Sequence, residues 1–129
     1  MGKKVIHTNN APEPVGPYSQ AIITAGPIIF VSGQIALDPL TGTIIGEGDV
    51  IKQTQQVMAN LEAILITAGS SFTQVVKTTI FLADINDFAN VNSVYKTYFD
   101  GAASPARVCI QASRLPKDAL IEIDCIAEI

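Results

Sequence analysis

The chain has 129 residues, a length typical of one domain, and 16% of them are charged, against a usual value of about 25%. So little charge leaves too few polar side chains to cover a monomer, and we therefore expect part of the surface to be buried between subunits. The net charge of −4, with no basic run longer than Lys3-Lys4, argues against nucleic acid and anionic membranes as partners.

Membrane spans and secretion signals are not evident in the sequence. No apolar stretch is long enough to cross a bilayer, and residues 1–8 lack the apolar core of a signal peptide. Cys109 and Cys125 are expected to be free thiols, which suits a reducing compartment. We therefore expect a cytoplasmic protein, or a mitochondrial one if the source is eukaryotic. His7 is the single histidine, and without a Cys/His cluster we expect no metal site.

Four strands are predicted before the last quarter of the chain. Strand-like runs occupy 3–7, 19–24 and 28–35, and a loop with three prolines separates the first two at 9–17. The run at 75–82 is apolar and rich in β-branched residues, which is typical of a buried strand.

Two helices are predicted between these strands. The first begins at an N-cap, Asp49, and ends before Gly69, with apolar residues at helical spacing in between. The second is capped by Asn86 or Asp87 and stops at 100–101. The order β-β-β-α-β-α-β-β predicts an α+β fold in which both helices pack on one face of a sheet. The uncovered face then requires another partner, and a second subunit is the obvious one.

Two further strand-like runs flank a turn at 116–118. Strand alternation places Arg107 and Cys109 on one face of the first run. If the runs pair as a hairpin with their apolar sets on one face, Cys109 lies near Glu122 of the second run and Arg107 lies diagonal to it. That register puts Cys125 on the opposite face from Cys109, which argues against an intrachain disulfide. The alternative to a functional cluster is an Arg107–Glu122 ion pair on a solvated face, which contributes little to stability.

Short motifs follow one another through the chain from about Ala11 onward. Each motif is weak by itself, whereas their joint order and spacing are specific. They are Gly16-Pro17-Tyr18-Ser19-Gln20-Ala21, Ser32-Gly33-Gln34, Val76-Lys77-Thr78-Thr79, Asp84-Ile85-Asn86-Asp87-Phe88, Val91-Asn92, Tyr95, Tyr98-Phe99, Pro105-Ala106-Arg107, Leu115-Pro116-Lys117-Asp118 and Ile121-Glu122-Ile123. In these motifs the chain resembles the RidA family of reactive intermediate imine/enamine deaminases, also called the YjgF family.

The resemblance implies a single RidA-like domain over residues 1–129 with a chorismate-mutase-like α+β fold. It implies a homotrimer whose sheets face inward around a central barrel and whose active sites lie between neighbouring subunits. The implied reaction is hydrolysis of 2-iminobutanoate and 2-iminopropanoate to 2-oxo acids and ammonia, without a metal or an organic cofactor. These imines form from enamines released by pyridoxal-phosphate-dependent dehydratases, so the implied role is protection against them.

The family's functional positions correspond to residues of this chain one at a time. The resemblance implies that Arg107 binds the substrate carboxylate, that the backbone of Cys109 helps to orient the attacking water, and that Glu122 is the acidic residue of the last strand. A bidentate grip of Arg107 on a carboxylate fits the geometry of the guanidinium. The resemblance also implies that Tyr18 is both a catalytic and a substrate-binding residue, and that Ser32, Gly33 and Asn92 bind the substrate.

Several of these residues have a second interpretation. For Glu122 three roles are open: it positions the attacking water, it acts as the base, or it holds Arg107 in place. The thiol of Cys109 lines the pocket without reacting, because imine hydrolysis requires only water. Asn92 is a helix-surface residue in the alternative interpretation, and Tyr95 follows the apolar stripe of the second helix and is expected in the core.

Two other functions remain open. In the first, the chain is a trimer without turnover that binds 2-oxo acids or acts as a chaperone-like protein. In the second, it is an endoribonuclease or translation inhibitor. The net charge of −4 and the absence of a basic run argue against the ribonuclease.

Overall fold

The computed structural model describes residues 2–99 and 104–129. The elements are β1 (Lys4–Ile6), β2 (Ala21–Ile23), β3 (Ile28–Gln34), α1 (Val50–Thr67), β4 (Val75–Leu82), α2 (Phe88–Tyr95), β5 (Ala106–Gln111) and β6 (Ile121–Glu128). A four-stranded mixed sheet, in the order β3-β6-β4-β5, carries both helices on one face. Strands β1 and β2 form a separate antiparallel pair. The α+β architecture that the element order predicts is therefore confirmed.

Helix α1 begins and ends where its sequence predicts. Asp49 has an extended backbone, and its carboxylate accepts hydrogen bonds from the N–H groups of Ile51 and Lys52, each at 3.1 Å. Gly69 follows the last turn with a φ of +82°, a conformation that a side chain would strain. The buried side of the helix consists of Val50, Gln53, Thr54, Val57, Met58, Leu61 and Leu65.

Helix α2 begins differently from the prediction. The capping side chain is Asp84, which accepts a hydrogen bond from the N–H of Asn86 at 2.9 Å and starts a 3-10 turn over Ile85–Asp87. Asp87 precedes the α-helix but makes no capping hydrogen bond through its side chain. The helix stop that was predicted at 100–101 lies outside the described residues.

Strands β4 and β6 form the centre of the sheet and run antiparallel. Ile80 lies opposite Ile123, and both side chains are fully buried beneath the helices. Successive side chains point to opposite faces, so the next pair, Phe81 and Glu122, lies on the face without helices.

The last two strands do not form the predicted hairpin. Strand β5 is an edge strand that runs parallel to β4, with Thr78 opposite Arg107 and Ile80 opposite Cys109. Because Thr78 and Ile80 are buried, Arg107 and Cys109 lie on the helix-covered face, whereas Glu122 lies on the other. The predicted convergence of Arg107 and Cys109 with Glu122 within one chain is therefore wrong. Helix α2 connects β4 to β5, and parallel neighbours need such a crossover.

The two cysteines consequently share one face instead of lying on opposite faces. Cys109 is opposite Ile80 on one side of β4, and Cys125 is opposite Thr78 on the other side. Two strand spacings separate the cysteine strands by roughly 9 to 10 Å, which is too far for a disulfide. Both thiols are free, as expected, but the intervening strand is the reason.

The face of the sheet without helices is open and apolar. Phe30 on β3 is 71% exposed, and Val108 and Ile110 on β5 are also exposed. An apolar patch of this kind agrees with the low charge of the sequence. Among residues 2–99 and 104–129, none of the helices is long and apolar enough to cross a membrane.

Candidate active site

Arg107 lies inside an aromatic cage on the helix-covered face. Its Cζ atom is 5.2 Å from the ring centroid of Tyr95, 5.4 Å from that of Phe88 and 5.6 Å from that of Tyr18. Ring faces attract a guanidinium and exclude water from it, so the charge is partly desolvated.

No carboxylate in the described part of the chain forms an ion pair with Arg107. The alternative interpretation, an Arg107–Glu122 pair on a solvated face, is therefore wrong for the single chain. A half-buried cation without an anion is an unusual arrangement, since desolvation of a charge is unfavourable unless a partner compensates it.

Asn92 provides the polar contact in the cage. Nη1 of Arg107 donates a hydrogen bond to Oδ1 of Asn92 at 2.6 Å. Phe88, Asn92 and Tyr95 are spaced at i, i+4 and i+7 along α2, so one face of this helix supplies three of the contacts to Arg107. The amide is neutral, and the guanidinium therefore keeps its full charge for another ligand.

The loop before β2 closes the cage from another side. The N–H of Tyr18 donates to the carbonyl of Gly16 at 2.8 Å, and the N–H of Ser19 donates to the carbonyl of Pro105 at 3.2 Å, beside the start of β5. A Cβ atom on Gly16 would lie 3.3 Å from Nη2 of Arg107. Glycine at this position therefore lets the loop backbone approach the guanidinium closely.

Tyr95 forms the buried floor of the cage, as its expected core position requires. Its hydroxyl group hydrogen-bonds to Oγ1 of Thr78 at 2.8 Å, and Thr78 is the residue opposite Arg107 on β4. Burial raises the pKa of Tyr95 to about 12, with the Thr78 hydrogen bond acting in the opposite direction. The phenol therefore stays neutral and fixes the ring beneath the guanidinium.

Cys109 presents its backbone, and not a reactive thiolate, to the candidate site. Burial raises the pKa of its thiol, and the nearby Arg107 only partly offsets this effect. The N–H of Ala112 donates to the carbonyl of Leu82 at 2.8 Å, so the backbone groups of even-numbered residues on β5 face β4. The carbonyl of Cys109 then points to the free edge of the sheet, where it can accept a hydrogen bond from water.

A second group of predicted site residues lies on the open face. Strand β3 carries an irregularity between Val31 and Gln34, which includes Ser32 and Gly33. A Cβ atom on Gly33 would lie 2.0 Å from Oε2 of Glu122, so the absence of a side chain makes room for the carboxylate.

The structure thus divides the predicted site into two groups on opposite faces of the sheet. Tyr18, Asn92, Arg107 and Cys109 lie around the cage. Ser32, Gly33 and Glu122 lie on the open face. Sequence reasoning missed Phe88 and the second role of Tyr95, although their helical spacing with Asn92 was a usable signal.

Metal ligands do not cluster near either group. Within residues 2–99 and 104–129, no set of three or more His, Cys, Asp and Glu side chains could hold a metal ion. His7 contacts Glu13 at 2.8 Å in an exposed pair.

Comparison with known proteins identifies relatives over nearly the whole chain. The family described as endoribonuclease L-PSP matches residues 8–129. A RutC family protein of Synechocystis sp. is 58% identical over 127 residues, which cover 98% of this chain and 97% of that protein. The 2-iminobutanoate/2-iminopropanoate deaminase of Rattus norvegicus is 50% identical over 125 residues, which cover 97% of this chain and 89% of that protein. The crystal structure of E. coli TdcF with bound serine matches with a TM-score of 0.75 at 44% identity, covering 98% of each chain.

Proposed function

Because the chain belongs to the RidA (YjgF) family, we propose that it hydrolyses 2-imino acids such as 2-iminobutanoate and 2-iminopropanoate to 2-oxo acids and ammonia. The observation that carries this proposal is the caged guanidinium of Arg107, which has a neutral hydrogen-bond partner and, among residues 2–99 and 104–129, no carboxylate partner. The substrate carboxylate is the missing anion.

The chemistry of Arg107 suits a small planar anion. With Nη1 directed to Asn92, the rest of the donor fork remains for a bidentate contact with a carboxylate. The rings of Tyr18 and Phe88 limit water around the pair, which strengthens the attraction. The deaminase name of the rat relative and the serine bound to TdcF support a ligand that carries a carboxylate beside a nitrogen-bearing carbon.

The proposal includes a homotrimer with each active site between two subunits. Arg107 and Glu122 lie on opposite faces of the sheet, so a site that uses both must combine the cage of one subunit with the open face of another. The exposed Phe30, Val108 and Ile110 support burial of the open face against other copies. In this arrangement the open faces of three sheets surround the trimer axis.

The reaction then proceeds through addition of water. Arg107 holds the carboxylate and orients C2 of the imine toward a water that hydrogen-bonds to the Cys109 carbonyl. The water oxygen attacks C2, the electron pair of the C=N bond moves to nitrogen, and Glu122 accepts the proton that the water releases. The substrate reacts as its iminium form, so the carbinolamine carries an NH2 group and a hydroxyl group. The amino nitrogen takes back the proton held by Glu122, the C–N bond breaks and ammonia leaves. The C=O bond forms as the hydroxyl proton passes to Glu122. A positioned base contributes roughly 10²–10⁴-fold to the rate.

The proposed role is removal of imines before they react with other cellular components. Enamines released by dehydratases that act on threonine and serine tautomerise to these substrates. The enzyme would therefore act directly after such a dehydratase.

A coupled assay tests the proposal. A threonine dehydratase supplies the imine, and formation of 2-oxobutanoate is followed with and without the protein. We expect the wild type to accelerate this step and Arg107→Ala to lose at least about tenfold, the effect of one charge-assisted contact. Arg114→Ala is the matched control, because Arg114 pairs with Asp118 at an exposed position. A folded wild type without acceleration would indicate a binding protein instead.

A further inference from the structure

We propose that Asn92 is a positioning residue whose side-chain oxygen acts on the substrate through Arg107. The inference rests on the proposed function and assigns Asn92 a different role from the pocket contact that the family resemblance implies. The observation behind it is the 2.6 Å hydrogen bond from Nη1 of Arg107 to Oδ1 of Asn92. A side-chain oxygen that already accepts from the guanidinium points to the arginine and not to the ligand.

Among the described residues, Asn92 alone forms a side-chain hydrogen bond with the guanidinium of Arg107, so this contact is the one that directs its donor fork. The rings of Tyr18, Phe88 and Tyr95 lie between 5.2 and 5.6 Å from Cζ. Ring faces attract the charge, but they make no directional bond to any one N–H group that would set how the fork rotates in its own plane. One hydrogen bond at Nη1 sets that rotation, and the remaining donors then point in a fixed direction.

The neutrality of Asn92 is as important as its position. A carboxylate of the same shape would also accept from Nη1, but it would compensate the positive charge and compete with an anionic substrate. An amide oxygen orients the arginine while leaving its charge unpaired. The inference therefore predicts that Asn92→Asp is harmful although the two side chains have nearly the same shape.

Helix α2 provides a matched control at Asn90. Asn90 is exposed, lies two residues before Asn92 on the same helix and therefore points away from the cage. Alanine and aspartate variants at both positions separate effects on the helix from effects on Arg107.

The first experiment measures KM and kcat for the imine in the four variants. We expect Asn92→Ala and Asn92→Asp each to raise KM about tenfold or more, with a smaller change in kcat, and both Asn90 variants to match the wild type. The cost of Asn92→Ala should also largely disappear in an Arg107→Lys background, because residues that act as a unit are not additive. A cost that persists undiminished would show that Asn92 contacts the substrate directly.

The second experiment does not depend on turnover. Side-chain ¹⁵N–¹H NMR of Arg107 should show slow rotation of the Nη1 group in the wild type and in the Asn90 variants, and fast rotation in Asn92→Ala. Unchanged Arg107 signals in Asn92→Ala would overturn the inference. If the wild type shows the ordered guanidinium and binds 2-oxobutanoate but does not hydrolyse imines, the proposed function fails and the role of Asn92 stands.

Discussion

Arg107 and Glu122 lie on opposite faces of one four-stranded sheet, and strand β4 separates the strands that carry them. The two side chains have different surroundings. Arg107 is surrounded by aromatic rings and Asn92, whereas Glu122 lies against the space left by Gly33. On one face lies a cation that pairs with no carboxylate of the described residues, and on the other lies a carboxylate. These are complementary halves, and two copies of the chain can bring such halves together.

Subunit mixing tests this division directly. Arg107→Ala and Glu122→Gln should each be nearly inactive alone, whereas a refolded equal mixture should regain activity. If the two variants assort at random in a cyclic trimer, roughly one quarter of the sites combine an intact Arg107 from one chain with an intact Glu122 from its neighbour. The measurement is the initial rate of imine hydrolysis against mixing ratio.

A second mixture controls for simple stabilisation. Arg107→Ala mixed with Arg107→Lys should not recover, because every cage in that mixture lacks the planar donor fork of the arginine. Equal recovery in the two mixtures, or none in the first, would contradict a site that is shared between subunits.

The open face predicts how the assembly can be disrupted. Phe30→Glu places a charge on a residue that is 71% exposed in the single chain, so the fold itself should change by at most about 0.5 kcal/mol. In a trimer that buries this face, the unpaired charge should shift the protein to monomers and abolish turnover. Native mass spectrometry measures the shift. Leu40→Glu, at a loop position that is 94% exposed, should remain trimeric.

The sequence predicted α1 and β4 closely because their signals are local. Asp49 and Gly69 mark the ends of the helix by capping chemistry, and β-branched residues mark the buried strand. These features depend on neighbours a few residues away, and no tertiary information is needed to find them.

The pairing of β5 could not be deduced from alternation alone. Alternation groups Arg107 with Cys109, but it does not state which face the core occupies. The hairpin prediction assumed that the apolar set faces inward, whereas the structure directs Arg107 inward because α2 supplies rings and the amide of Asn92 to receive it. The β4-α2-β5 order was the overlooked signal, since a helix between two strands favours parallel pairing.

Buried thiols predict a loss of stability at alkaline pH. Burial raises the pKa of Cys125 from 9.0 to about 12, so the folded chain keeps a proton that the unfolded chain loses above pH 9. This contribution to stability is complete below pH 9 and decreases as the pH rises toward 12, by at most about 1.4 kcal/mol per pH unit. Tyr95 adds a similar loss between pH 10 and 12.

Urea unfolding between pH 8 and 11, under reducing conditions, measures this slope. Cys125→Ala should be less stable at pH 8, because a buried side chain is shortened, but its unfolding free energy should fall less steeply above pH 9. Cys109→Ala should flatten the slope less, since Cys109 is only half-buried. Parallel slopes for the wild type and Cys125→Ala would exclude this thiol as the cause.

Gly33→Ala separates the role of Glu122 from the stability of the fold. The added Cβ atom would lie 2.0 Å from Oε2 of Glu122, and the flexible carboxylate end must therefore move. Such a shift of the end of a flexible, half-buried side chain should cost less than about 1 kcal/mol of unfolding free energy. Turnover should fall at least about tenfold, because a displaced base loses part of its roughly 10²–10⁴-fold contribution.

The same substitution in a Glu122→Gln background identifies the cause of that loss. If Gly33→Ala acts by displacing the carboxylate, it should add little to the effect of Glu122→Gln, since both changes remove one function. Native mass spectrometry should show an unchanged assembly, and urea unfolding an almost unchanged midpoint. Fully additive losses in kcat/KM would show that Gly33 contributes to the site independently of Glu122, for example by direct contact of its backbone with the substrate.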